Sequence, residues 1–147
     1  MRNGGMSMRK RWLILPILVC IAALLLPSVC FTEDRATVRL ARTIYALARD
    51  ESYDTKLALG SLVMNRVNSG WFSDDLSEVL SDQQQFPSGE RYDDESLRAA
   101  HAVLSGKRTL NRDALYYQAA DASEPWAADD LCCSVGNYNF YYTNGND

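Results

Sequence analysis

Leu40, Ile44, Leu47 and Ala48 recur at intervals of three and four, the repeat of a helix that buries one face. Glu51 continues the same stripe one turn beyond Leu47. A helix striped in this way must be covered along its length, which commits the chain to a core of packed helices. The stripe also ends in a carboxylate, which either runs out into solvent or is delivered into a cleft.

The elements that can cover this helix follow in order. The opening helix is expected from about Thr37 to Arg49. Asp54 or Thr55 is a candidate cap for a second helix, Lys56 to about Val67, with Leu59, Leu62, Val63 and Val67 inward. "NSGWFSDD" reads as a loop, Asp75 to Leu80 as a short helix, and "SDQQQFPSGERYDD" as a long polar loop broken by Pro87 and Gly89. Asp93 or Asp94 caps a fourth helix, "ESLRAAHAVLSG", stopped by Gly106. "ALYYQ" and "NYNFYYT" read as short strands, with a helical turn in "SEPWAADDL" between them. Helices first and strands last make a small α+β domain, mainly helical with a few short strands. Trp71, Phe72 and Trp126 are expected in its packing.

Ahead of this domain, Arg2, Arg9, Lys10 and Arg11 precede the apolar run of residues 12–26. The run is shorter than the roughly 20 residues that span a bilayer, and suits an export signal. Residues 1–30 are therefore expected to be a signal peptide or an N-terminal membrane anchor, with residues 31–147 the exported domain. Taking those four cations from the 15 in the chain leaves 11 against 19 acidic residues, a net charge of −8 beyond residue 30. That balance argues against a nucleic-acid partner. Cys132 and Cys133 are adjacent, with Cα atoms ~3.8 Å apart, closer than a disulfide usually allows, so two unbridged thiols are expected. One adjacent pair and the single His101 build no zinc spacing, and no metal or cofactor is implied.

"LARTIYALARDESYDTKLALGSLVMNRV" resembles the opening of SleB-type cell wall hydrolases, the spore-cortex-lytic group, which reads roughly "LARLVYGEARGE" and then "VLNRV". Gln85-Phe86 resembles that family's loop motif, "ALYYQAADASEPW" its "ALYYYNPAKATSKW", and "VGNYNFYY" its terminal "IGNHVFY". The resemblance covers about residues 38–142. It implies a lysozyme-like domain acting on the glycan strands of peptidoglycan, outside the cytoplasmic membrane. It also implies one glutamate as general acid, which protonates the glycosidic oxygen. The sugar's own 6-hydroxyl then closes an anhydro ring, so a second carboxylate is not required, unlike the usual pair.

Aligning Tyr45 and Arg49 with the motif puts Leu47 where that acid stands, and a leucine transfers no proton. Glu51, matching the motif's second glutamate, is the candidate substitute; its structural alternative is a helix-end carboxylate bonded to neighbouring amides. Gln85, Phe86, Tyr116, Tyr117 and Tyr141 are candidate sugar contacts, with core packing as the alternative for the tyrosines. Asn65 and Arg66 are expected to tie the second helix to a loop. Two functions follow: a peptidoglycan glycan-strand hydrolase or lytic transglycosylase, active through a substitute acid or weakened, or a non-catalytic relative that binds glycan or a partner enzyme. If residues 1–30 form a cleaved signal, mass spectrometry of the exported protein finds its N-terminus close to Phe31; an intact N-terminus retained in the membrane selects the anchor.

Overall fold

The opening stripe is buried as its spacing requires. The structure, a computed structural model, describes residues 34–142, so the expected export segment lies outside the described residues. Helix α1 (Arg35–Ala48) buries Leu40, Ala41, Ile44 and Ala48 and leaves Leu47 half-buried at its end. Helix α2 (Tyr53–Ser69) starts earlier than the sequence suggested. Its cap is Ser52, whose hydroxyl accepts from the Thr55 amide at 3.3 Å, not Asp54 or Thr55. Gly70, at φ +76°, ends it in the left-handed region that glycine adopts without strain.

Helix α2 is the central rod and is buried on nearly every side, which explains its lack of a clean apolar stripe. Leu57, Leu59, Leu62 and Val63 fill the core, while Lys56, Ser61, Asn65 and Arg66 are buried polar residues. A Cβ on Gly60 would lie 3.0 Å from Val103 and 3.2 Å from Ile44, so a glycine in mid-helix lets its neighbours close in. Helix α3 (Leu76–Val79) is capped by Asp75, which accepts from the Ser77 amide at 2.6 Å. Helix α4 (Asp94–Leu104) is capped by Asp93, which accepts from the Ser96 amide at 2.6 Å. The buried Lys56 ammonium joins α2 to α4, donating to Glu95 at 2.6 Å with Asp93 at 3.6 Å. Burial acts against the Asp93 charge, but hydrogen bonding from Ser96 and the Lys56 ammonium outweigh it, leaving that carboxyl below its ordinary range.

Three antiparallel strands complete the small α+β domain: β1 (Tyr116–Ala119), β2 (Leu131–Val135) and β3 (Tyr138–Tyr141), in the order β1-β3-β2. Strand β2 was not legible beforehand. "LCCSV" has little alternation, and its pairing is imposed by β3 through the turn at Gly136. Leu131 faces Tyr141 and Cys133 faces Phe140, so Cys132 is the extra residue of a bulge. Both cysteines carry unbridged thiols, and burial, then the neighbouring Cys132, pushes the Cys133 thiol up to about 11. A 3₁₀ turn, Ala128–Asp130, precedes β2. Trp71 departs from expectation: it is 84% exposed, since Gly70 turns the chain outward before Phe72 packs back.

Arg66 is the polar centre of this packing. Its Nε donates to the Leu115 carbonyl at 2.6 Å and its Nη2 to Gln85 Oε1 at 3.0 Å. Its guanidinium lies 4.6 Å from the Phe72 ring centre, 4.9 Å from Phe86 and 5.4 Å from Tyr116. Asn65 beside it donates to the carbonyls of Asn111 at 2.7 Å and Ala114 at 3.1 Å. Arg66→Met leaves the buried Leu115 carbonyl and the partly buried Gln85 oxygen without their donor and should lower unfolding free energy by roughly 2–4 kcal/mol in urea titrations. Arg66→Lys should recover less than half of that, because a point charge cannot span both acceptors and stack on the rings.

Candidate active site

Residues 49–52 turn α1 into α2, and this corner brings Leu47 and Glu51 to one cleft. The cleft, of about 710 Å³, is lined by Tyr45 to Leu47, Arg49 to Glu51, Gly89 to Arg91, and Asn137. Gly89 seats the long loop on α1, since a Cβ there would lie 3.2 Å from the Arg42 carbonyl and 3.4 Å from the Ala46 methyl. The β2–β3 turn closes the opposite side. Asn137 donates from Nδ2 to Glu51 Oε1 at 2.6 Å and from its backbone amide to Oε2 at 3.4 Å. Gly136, at φ +58°, makes this approach feasible, because a Cβ there would run into Thr55 Oγ1 and Glu51 Oε2. Next along β3, the Tyr138 hydroxyl donates to the Leu47 carbonyl at 2.6 Å. Burial, then the Glu51 charge, pushes the Tyr138 phenol above its usual range.

The chemical consequence is asymmetric. Leu47 presents an apolar side chain partly packed on the core. The Asn137 groups donate, so both Glu51 oxygens are held as acceptors, whereas a general acid must itself offer an O–H. In this arrangement Glu51 pins the β2–β3 turn to the start of α2. Asp50 pairs with Arg49 at 2.9 Å on the open surface.

None of the five expected sugar contacts lines this cleft. Phe86 is fully buried and stacked on Tyr117 with ring centres 6.2 Å apart, so it is a core residue and not a grip for a sugar. Tyr141 is likewise buried, because the chain after β1 folds back and sets Trp126 edge-on at 5.0 Å. Gln118 secures that fold-back, accepting from the Trp126 amide at 3.2 Å and donating to the Glu124 carbonyl at 2.8 Å. Gln85 is occupied by Arg66, and its carbonyl accepts from the Tyr117 hydroxyl. Burial, with the neighbouring Tyr138, pushes Tyr117 up to about 12. Tyr116 is half-buried on the other sheet face, beside Phe72 and Trp126. Sequence reasoning missed Gly136, Asn137 and Tyr138, although "VGNYNFYY" contained them; its signal was a glycine-led turn between two apolar runs.

Comparison with known proteins agrees with the fold. A family model described as Cell Wall Hydrolase matches residues 50–141, beginning three positions past Leu47. The chain is similar to the spore cortex-lytic enzyme of Bacillus subtilis (strain 168), at 31% identity over 93 residues, covering 59% of this chain and 30% of that protein. It is also 28% identical over 100 residues to the spore cortex-lytic enzyme of Halalkalibacterium halodurans, covering 64% of this chain and 30% of that protein. The chain thus spans under a third of the length of these two curated relatives. In fold it resembles the catalytic domain of the Bacillus cereus SleB protein, with TM-score 0.64 and 20% identity over 72% of this chain and 88% of that one. The catalytic domain of the germination-specific lytic transglycosylase SleB from Bacillus anthracis gives the same TM-score of 0.64 and 20% identity, over 77% and 99%.

Glu51→Gln replaces one acceptor oxygen with an NH₂ facing an Asn137 donor. It should lower stability by roughly 1–2 kcal/mol in urea unfolding, with Gly136→Ala costing at least as much. An unchanged midpoint for both would detach the turn from the carboxylate.

Proposed function

The chain belongs to the cell wall hydrolase family, and we propose that its Leu47–Glu51 cleft receives a peptidoglycan glycan strand on the outer side of the cytoplasmic membrane and cleaves it weakly. The reaction is glycosidic cleavage of the SleB type, by hydrolysis or by lytic transglycosylation. The family match across residues 50–141 carries this reading. A cleft bounded by the α1–α2 corner, the long loop and the β2–β3 turn supplies the place for the strand.

In the full reaction a protonated carboxyl at the Leu47 position gives its proton to the leaving oxygen as the anomeric C–O bond breaks, the substrate's 6-hydroxyl closes on the anomeric carbon, and the resulting carboxylate takes up the hydroxyl's proton. Leu47 removes that donor and keeps the wall of the cleft. Glu51, at the α1–α2 corner, lines the same cleft as Leu47, and it donates a proton only after releasing Asn137. Cleavage slowed by ~10²–10⁴-fold relative to a family member with glutamate at this position is the expected cost. The apolar Leu47 and the occupied oxygens of Glu51 also favour a second reading, a non-catalytic domain that binds glycan or a partner enzyme.

Muropeptide analysis after incubating the exported chain with peptidoglycan separates the two. Weak activity predicts slow product release, raised at least ten-fold by Leu47→Glu and abolished by Glu51→Gln if Glu51 serves as the substitute acid. Leu47→Glu should also lower stability by roughly 1–3 kcal/mol. Binding to peptidoglycan without products from either the native chain or Leu47→Glu selects the non-catalytic reading. Robust cleavage that survives Glu51→Gln and gains nothing from Leu47→Glu places the acid elsewhere.

A further inference from the structure

A second cleft, of about 1000 Å³, lies at the other end of α2. Its lining on α2 begins at Asn65, 12 residues past the helix start at Tyr53, so the two clefts are separated by roughly 18 Å along the axis. Trp71, Phe72, Tyr116 and Tyr142 give this cleft ring faces, and Arg108 and Arg112 give it cations. None of these residues lines the Leu47–Glu51 cleft.

Three features mark it as built for a ligand. Trp71 is 84% exposed and Tyr142 39%, the two exposed large aromatic residues among the described residues. The Trp71 backbone is nevertheless fixed, its amide donating to Ser69 Oγ at 3.1 Å. Arg108 is held at the rim by Nη1, which donates to the carbonyls of Val103 at 2.5 Å and Lys107 at 2.8 Å. Arg112, with a side chain 91% exposed, has Asp113 at 3.6 Å, an ion pair too exposed to hold it firmly. Two arginines against one aspartate form a positive rim on a domain of net charge −8 beyond residue 30. Ring faces beside guanidinium groups suit a ligand that joins a flat ring to a carboxylate.

We propose that this second cleft binds the muropeptide unit of peptidoglycan, with a sugar ring on Trp71 and a stem-peptide carboxylate on Arg112 and Arg108. The inference rests on the cell wall reading above and adds a binding site distinct from the glycan-cleaving cleft. One polymer held at both ends of α2 raises the local concentration of glycan at the first cleft, so weak turnover is offset by retention.

Binding of a soluble disaccharide–tetrapeptide muropeptide to the full exported chain, measured by calorimetry, tests this. Trp71→Ala and Arg112→Ala should each weaken binding roughly ten-fold, because exposed aromatic and arginine anchors carry much of such an interface. Amidating the stem carboxylates should cost at least as much as Arg112→Ala, and should cost less in that variant than in the wild type. Both side chains are exposed, so unfolding midpoints should not move, and cleavage of a stem-free glycan chain should be unchanged. Muropeptide affinity identical in wild type, Trp71→Ala and Arg112→Ala overturns the second site while leaving the first cleft's assignment standing. A wild-type chain that neither binds nor cleaves any peptidoglycan fragment overturns the cell wall reading itself.

Discussion

A guanidinium buried to 2% exposure is the constraint on which the rest of this structure depends. Among the described residues Arg66 forms no ion pair, and burial pulls its pKa below the ordinary arginine value. Such a charge is tolerated only where hydrogen bonds and polarizable surfaces replace water. Leu115, Gln85 and three aromatic rings supply that replacement, and they come from three different segments. The long loop, the entry to β1 and the post-helix segment are thereby fixed to one point on α2. The loop contributes only Phe86 to the fully buried core, and Arg66 and the Tyr117 hydroxyl, both bonded to Gln85, set its course there. Once anchored, its later part reaches α1 at Gly89 and becomes a wall of the first cleft.

At the other end of α2, Glu51 performs the complementary task. It joins the helix corner to the β2–β3 turn across 86 residues of sequence. Tyr138 reinforces the same junction by bonding the Leu47 carbonyl, so Leu47 and Glu51 are both held by one short turn and the strand it opens. The cleft is thus shaped by backbone contacts and by a carboxylate acting as acceptor. Its shape does not depend on an acid at position 47.

Much of the helical half was legible because its signals are local. The three- and four-residue spacing of Leu40, Ile44 and Ala48, and the Asp75 and Asp93 caps, act within one or two turns of chain. Helix α2 was harder, since its residues are buried all round: Asn65 and Arg66 do tie it to loops as expected, but the burial of the Lys56 ammonium carries no local signal. The sheet was partly hidden for the same reason. "LCCSV" becomes a strand because β3 offers it an edge, and Tyr141 becomes buried because Trp126 returns over it. Phe86 lies in the core, and the polar sequence around it gives no local sign of this, since Arg66 holds the loop at Gln85 with the Phe86 ring beneath its guanidinium. Local pattern reports propensity; long-range polar anchors decide which side of a loop or strand faces in.

The separation of scaffold from chemistry follows from where the energetic commitments lie. Removing Arg66 or the Glu51–Asn137 contact disturbs elements distant in sequence, whereas a leucine at position 47 adds apolar packing to a helix end. A glutamate there would place a polar group beside Tyr138 and the core, at a cost in stability that only catalysis would offset. Leu47 therefore reads as the side of that exchange that favours the fold. On the proposed reading, a domain on that side keeps its cleft, and its usefulness turns on how long it stays on glycan. Retention depends on surface rings and charges, and Trp71, Tyr142 and Arg112 are placed where such contacts can be made without disturbing α2.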